Sequence, residues 1–212
     1  MSGELSGNAY LCDERYNVME QRYNIPSNSI DLQQLYGYCE QHGEVVTYKK
    51  GERLEQEGEP ARWFAFVEQG CFKYVVNGIS DEREYVAWFS LEGEITGCYP
   101  DLLYNRVAHF TIEAMTPCRV LRISNEQLNR FFNQNTKTLK FQITLSNHLL
   151  SQFEARYTDH YRATPRERYE LLLQRCPGIV SDLPLQDIAS FLNITPQTLS
   201  KIRRDILLES QI

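Results

Sequence analysis

Pro184-Leu185-Gln186-Asp187-Ile188-Ala189-Ser190-Phe191-Leu192-Asn193-Ile194-Thr195-Pro196-Gln197-Thr198-Leu199-Ser200-Lys201-Ile202-Arg203-Arg204 reads as two short helices joined by a tight turn. Ile188, Ala189 and Leu192 form the apolar stripe of the first helix, and Leu199 and Ile202 that of the second. Asn193 stands where the turn needs left-handed backbone, which Asn tolerates better than any residue but Gly. Ala189 is small where the second helix would cross. Thr195 followed by Pro196 is an N-cap followed by Pro at the first helical position. The remaining faces of the second helix carry Thr195, Gln197, Thr198, Ser200, Lys201, Arg203 and Arg204, donors and acceptors suited to base edges and phosphates. This predicts a helix-turn-helix with the second helix as the reading element. An ordinary helical hairpin at a domain end is the alternative, and the rest of the chain has to decide.

Charge distribution supports the first reading. The net charge of −6 is wrong for a nucleic-acid binder taken whole. From Arg162 onward, however, seven Lys/Arg meet six Asp/Glu, and Gln197–Arg204 holds three basic residues and no acidic one. The positive charge is local, on the face that would meet phosphates.

Upstream, the texture is that of strands. Val45–Tyr48, Trp63–Val67, Cys71–Val76, Glu84–Phe89, His109–Ala114 and Cys118–Ile123 are β-rich runs, punctuated by Lys50-Gly51-Glu52, Glu57-Gly58-Glu59, Gln69-Gly70, Asn77-Gly78 and Glu92-Gly93-Glu94. Short strands with regular glycine turns predict an antiparallel sandwich or roll. A short helix over Ile30–Cys39, with Asn28 or Ser29 as cap, precedes them. Ser124 with Gln127 three residues on is a capping box opening a helix to Phe132. A long helix follows, from about Thr136 to His160. Leu139, Ile143, Leu150, Phe153 and Tyr157 line one stripe of it, and packing against a copy of itself would bury that stripe. Thr164-Pro165-Arg166-Glu167 opens a further helix, ended by Cys176-Pro177-Gly178.

Composition limits the other classes. Hydrophobic content of 42% with 24% charged residues is ordinary for a globular chain, and there is no 18-residue apolar run. The N-terminus lacks the pattern of a signal peptide, so a cytoplasmic location is expected. Six widely spaced cysteines, Cys12, Cys39, Cys71, Cys98, Cys118 and Cys176, form no C-x-x-C, so buried thiols are expected rather than disulfides, a metal site or an iron–sulfur cluster. The histidines, His42, His109, His148 and His160, contain no His-x-His pair, and no nucleophile motif appears, so an enzyme on a cupin-type roll or a hydrolase is not expected.

The order of roll, long helix and helix-turn-helix resembles the catabolite-activator/FNR-type (Crp/Fnr) transcription regulators over about residues 30–205. Lys50-Gly51-Glu52, Glu57-Gly58-Glu59, Val67-x-x-Gly70 and Phe89-x-x-x-Gly93-Glu94 resemble the glycine-marked turns of cyclic-nucleotide-binding rolls, and Pro165–Arg168 with Ile188–Arg204 resembles the DNA-binding end. The resemblance implies an α+β chain: an N-terminal extension (1–24), an antiparallel double-stranded β-helix or jelly roll as effector domain (25–125), a dimerisation helix region (126–160) and a helix-turn-helix domain (161–212). It implies a homodimer on double-stranded DNA at a near-palindromic operator, with RNA polymerase as a candidate protein partner, no membrane, and a small-molecule effector of unknown identity between roll and long helix. Gly93 and Glu94 would there bind a ribose hydroxyl. The phosphate-binding Arg-Ser is replaced by Ala108-His109, and the nearest arginine, Arg106, comes two residues early. An anionic phosphate without its arginine is costly in a low-dielectric pocket, so cyclic nucleotide is disfavoured as the cofactor. Eight residues follow Arg204, too few for a two-stranded wing, so the wing is expected to be absent or minimal. The alternative function is a ligand-sensing roll that acts through protein contacts, with a vestigial DNA-binding end.

Overall fold

The computed structural model describes residues 30–80, 83–175, 178–179 and 183–209. The expected N-terminal extension, the caps Asn28 and Ser29, Cys12 and the Cys176-Pro177 helix stop lie outside the described residues.

Helix α1 (Gln33–His42) leads into strands β1 (Glu44–Tyr48), β2 (Arg53–Glu55), β3 (Trp63–Gln69), β4 (Phe72–Asn77), β5 (Glu84–Ser90) and β6 (Ile95–Thr96). Helix α2 (Tyr99–Leu103) separates these from β7 (Thr111–Ala114) and β8 (Cys118–Ser124). Then come α3 (Asn125–Phe132), α4 (Thr136–Arg162), α5 (Pro165–Arg175), α6 (Leu185–Phe191) and α7 (Pro196–Glu209). The strands form two antiparallel four-stranded sheets, β1-β8-β3-β6 and β2-β7-β4-β5, which is the expected roll. Facing side chains such as Phe64, Phe66, Phe72, Ile112, Val120 and Ile123 fill the space between them.

The turns follow their chemistry. Gly51, Gly58, Gly70 and Gly93 all have φ between +82° and +86°, which a side chain would strain. At Gly70 a Cβ would also meet the Pro117 carbonyl oxygen at 2.5 Å, so the β3–β4 turn is closed to larger residues on two counts. Strands β2 and β6 and helix α2 were not expected from the sequence, and β7 begins at Thr111 rather than His109. Helix α1 also starts later than expected: Leu32 occupies its N-cap without a side-chain bond.

Helix α3 carries the full predicted capping box: the Gln127 amide donates to Ser124 Oγ (3.2 Å) and the Ser124 amide to Gln127 Oε1 (2.9 Å). Leu128, Phe131 and Phe132 are buried against the roll. Asn135 caps α4 by accepting from the Lys137 and Thr138 amides. The buried residues of α4 are Thr138, Leu145, Gln152 and Asp159, spaced by seven. Three of these four are polar, and Leu145 packs with the partly buried Phe141 and Leu149 on the roll core.

Two apolar cores result. One fills the roll and the helices α1, α3 and the first half of α4. The other joins Cys71, Val86, Phe89, Leu91 and Met115 of the roll to Tyr169 and Leu172 of α5, Ile188 and Ala189 of α6, and Leu199 and Ile202 of α7. The C-terminal helices are thus packed directly on the outside of the roll.

Candidate nucleic-acid interface

Helices α6 and α7 meet through Ile188, Ala189, Leu192, Leu199 and Ile202, all buried. Ala189 is fully buried at the crossing. Asn193 has φ +52°, and the Ile194 amide donates back to the Ala189 carbonyl at 3.0 Å, closing the turn. Thr195 caps α7 by accepting from the Thr198 amide at 3.1 Å, and Pro196 opens the helix.

Gln197, Ser200, Lys201 and Arg204 are exposed and, with Pro196, line a surface concavity of about 370 Å³. Steps of one and four residues place them on one helix face. Thr195 and Thr198 are exposed at the N-terminal end, their hydroxyls 2.9 Å apart. Arg203 departs from the expected set. It is half-buried, unlike Lys201 and Arg204. The exposed face therefore offers an amide, a hydroxyl, an ammonium and a guanidinium beside a helix N-terminus, a combination able to hold phosphates and read a base edge.

Residues after Arg204 continue α7 to Glu209, whose carboxylate accepts two bonds from the Arg166 guanidinium of α5 (2.7 and 2.5 Å). Arg166 also donates to Glu170 at 2.9 Å. Sequence reasoning missed this clasp. The only signal for it was the i, i+4 spacing of Arg166 and Glu170.

The candidate effector residues are not brought together. Glu94 is 2% exposed, and its carboxylate accepts from the Leu91 amide at 2.7 Å, inside its own turn. Gly93 donates its amide to the Val67 carbonyl. Arg106 is on the exposed surface with its guanidinium 4.8 Å from the Tyr104 ring centroid. His109 bonds Asp101 through Nδ1 at 2.8 Å. Between the sheets lies the buried Tyr74 side chain from β4. Its hydroxyl is 2.9 Å from Thr96 Oγ1 and accepts from the Gly97 amide (3.0 Å) and Ser90 Oγ (3.2 Å). Phe110 packs edge-on against its ring. These residues do not fit a cyclic nucleotide: the arginine is exposed at the surface beside Tyr104, the glutamate is engaged in its own turn, and a tyrosine stands in the interior.

Leu139, Ile143, Leu150, Phe153 and Tyr157 are 46–68% exposed along α4, and Tyr161, which sequence reasoning did not include, extends the row. At 3.6 residues per turn these six fall within about 80° of one another. Phe153 also stacks on Trp88 of β5 with centroids 4.9 Å apart.

Cys39, Cys71, Cys98 and Cys118 are buried free thiols. Burial pushes the thiols of Cys39 and Cys98 up to about 12, so they are protonated and unreactive at neutral pH. Among the described residues no group of His, Cys, Asp and Glu could hold a metal ion, and no helix is long and apolar enough to cross a membrane.

Comparison with known proteins agrees with this architecture. Residues 45–135 match the cyclic nucleotide-binding domain family. Over 79–85% of its length the chain has the fold of solved Crp/Fnr-type regulators. FixK2 from Bradyrhizobium japonicum superposes with a TM-score of 0.69 at 20% identity, over 79% of this chain and 86% of that one. The c-di-GMP responsive global regulator CLP of Xanthomonas campestris gives 0.62 at 15% identity, over 85% and 93%. A transcriptional regulator of the Crp/Fnr family from Eubacterium rectale gives 0.64 at 12% identity, over 84% of each chain. No curated protein matches in sequence.

Proposed function

We propose that the chain is a DNA-binding transcription regulator of the Crp/Fnr type, acting as a homodimer at a near-palindromic operator. The observation that carries this is the open face of α7, where Gln197, Ser200, Lys201 and Arg204 stand together and exposed on a helix whose other face is buried. Lys201 and Arg204 would hold phosphates. Gln197 would read a base edge, adenine being the base whose N6 and N7 match its amide. The helix N-terminus at Thr195 and Pro196 would take a further phosphate.

Dimerisation is supported by the row of exposed apolar side chains along α4, which the chain itself does not cover. A second copy of the same stripe is the self-complementary partner for it. A two-fold dimer would set two copies of α7 against successive major grooves, about 34 Å apart, and so demand an operator with matching symmetry. The roll is the regulatory domain of this arrangement, RNA polymerase a protein partner and the cytoplasm the location. No catalytic role is proposed.

Selection of bound fragments from fragmented genomic DNA tests the reading. Recovery of duplexes sharing a two-fold symmetric motif is the expected result. Recovery of no enriched sequence by the wild-type protein would sink it.

A further inference from the structure

The roll and the C-terminal helices are joined by a contact that the DNA-reading face does not use. The Val86 amide of β5 donates to Ser190 Oγ of α6 at 2.9 Å. Lys73 of β4 lies 3.4 Å from Glu113 in the roll and 3.9 Å from Asp187 of α6. Phe89 and Phe191 pack with centroids 5.1 Å apart. The third party is α4. Its Arg156 guanidinium carbon lies 2.9 Å from the Trp88 ring centroid and 5.2 Å from that of Phe191. One cation thus bridges an aromatic ring of the roll and one of the helical end, from the helix that carries the dimer stripe.

We propose that this junction is a latch that holds α6 on β5 in the orientation that reads DNA, and that no small molecule in the roll is needed to set it. The proposal rests on the DNA-binding function inferred above. Two observations carry it. Docking engages Asp187, Ser190 and Phe191 of α6 and leaves Gln197, Ser200, Lys201 and Arg204 of α7 open, so the docked state is compatible with reading. The interior that an effector would enter is instead bridged by Tyr74, tied to Ser90, Thr96 and Gly97. The orientation is therefore set by contacts between parts of one chain.

The test uses the full-length protein, a duplex recovered by the genomic selection, and two variants, Arg156→Ala and Arg156→Lys. Hydrogen exchange at the Val86 amide reads the latch, and exchange in β3 and β8 controls for folding. With β3 and β8 unchanged, Arg156→Ala should speed Val86 exchange at least tenfold and weaken duplex binding at least tenfold. Its salt dependence should be unaltered, because Lys201 and Arg204 are intact. Arg156→Lys keeps the charge without the planar stack and should fall between. Cyclic AMP or cyclic GMP should leave wild-type binding unchanged. Faster exchange with undiminished binding would overturn the latch, as would unaltered exchange at Val86. A tenfold gain in wild-type affinity on adding either nucleotide would also overturn it. Wild-type protein that binds no genomic duplex would overturn the function itself, whereas duplex binding that Arg156→Ala leaves intact overturns the latch alone.

Discussion

Glu209 and Arg166 are 43 positions apart in sequence and joined by two parallel hydrogen bonds, which fasten the last turn of α7 to the first turn of α5. The end of α7 is therefore anchored to another helix. The guanidinium holds the Glu209 carboxyl below the usual glutamate range. A carboxyl lowered in this way stabilises the folded form above its unfolded pKa and loses that contribution as pH falls through its folded one. Amide exchange in the last turn of α7 should rise on acidification below the ordinary glutamate range. Glu209→Gln should show fast exchange already at neutral pH, with the acid-dependent step gone. An acid step of the same size in Glu209→Gln would remove the clasp from the explanation.

The α7 face sorts its residues by role. Lys201→Ala and Arg204→Ala should each weaken duplex binding across all sequences and lower the salt slope by about 1. Gln197→Ala should relax preference at one base pair per half-site, a discrimination of about 1–3 kcal/mol. Arg203→Ala should act differently, because Arg203 is half-buried while Lys201 and Arg204 are exposed. It should lower thermal stability with little change in salt slope. Fluorescence anisotropy titrations at several salt concentrations separate these outcomes.

The exposed stripe of α4 makes the oligomer testable without DNA. Leu150→Glu places a charge in the middle of a row that also contains Ile143 and Phe153. Sedimentation should show wild type as a dimer and Leu150→Glu as a folded monomer with unchanged helix content. A dimer that survives Leu150→Glu together with Ile143→Glu would place the interface elsewhere.

Tyr74 is a buried phenol whose burial pushes its pKa up, so it stays a protonated donor at every working pH. Removing its hydroxyl in Tyr74→Phe leaves buried partners at Ser90, Thr96 and Gly97 short of a bond and should cost about 1–3 kcal/mol of stability. Calorimetry of the wild type with cyclic AMP or cyclic GMP should show no binding. Micromolar binding that Arg106→Ala abolishes would return the nucleotide to the roll.

The parts legible in the sequence are those whose signal is local. Ser124 with Gln127, Thr195 with Pro196, and the glycines at positive φ announce their geometry within four residues. The longer apolar strands β3, β4 and β5 are similarly self-evident. Strands β2 and β6 span three and two residues and exist through their partners β7 and β3, so no run of their own could reveal them. In α4 the apolar stripe was visible, but the buried column was not, because Thr138, Gln152 and Asp159 read as solvent-facing residues. Arg156 is the extreme case. Its neighbours Trp88 and Phe191 lie 68 and 35 positions away, and nothing in its local sequence distinguishes it from an ordinary surface arginine. On α7, Arg203 and Arg204 are adjacent in sequence and alike in chemistry. Only their burial in the folded chain tells them apart.

Phe153 belongs to two contacts at once. One part of its ring lies on Trp88, in the group of side chains that seats α6, and about half of the residue remains open along the α4 stripe. A second copy that covers the open part confines the same ring that supports the seat. In the proposed dimer, assembly and seating would be thermodynamically linked, and linkage is reciprocal: whatever factor pairing adds to seating, seating would return to pairing. Occupancy of an operator would accordingly climb more steeply with protomer concentration than pairing alone dictates. The amount of protein synthesised would itself serve as the input signal.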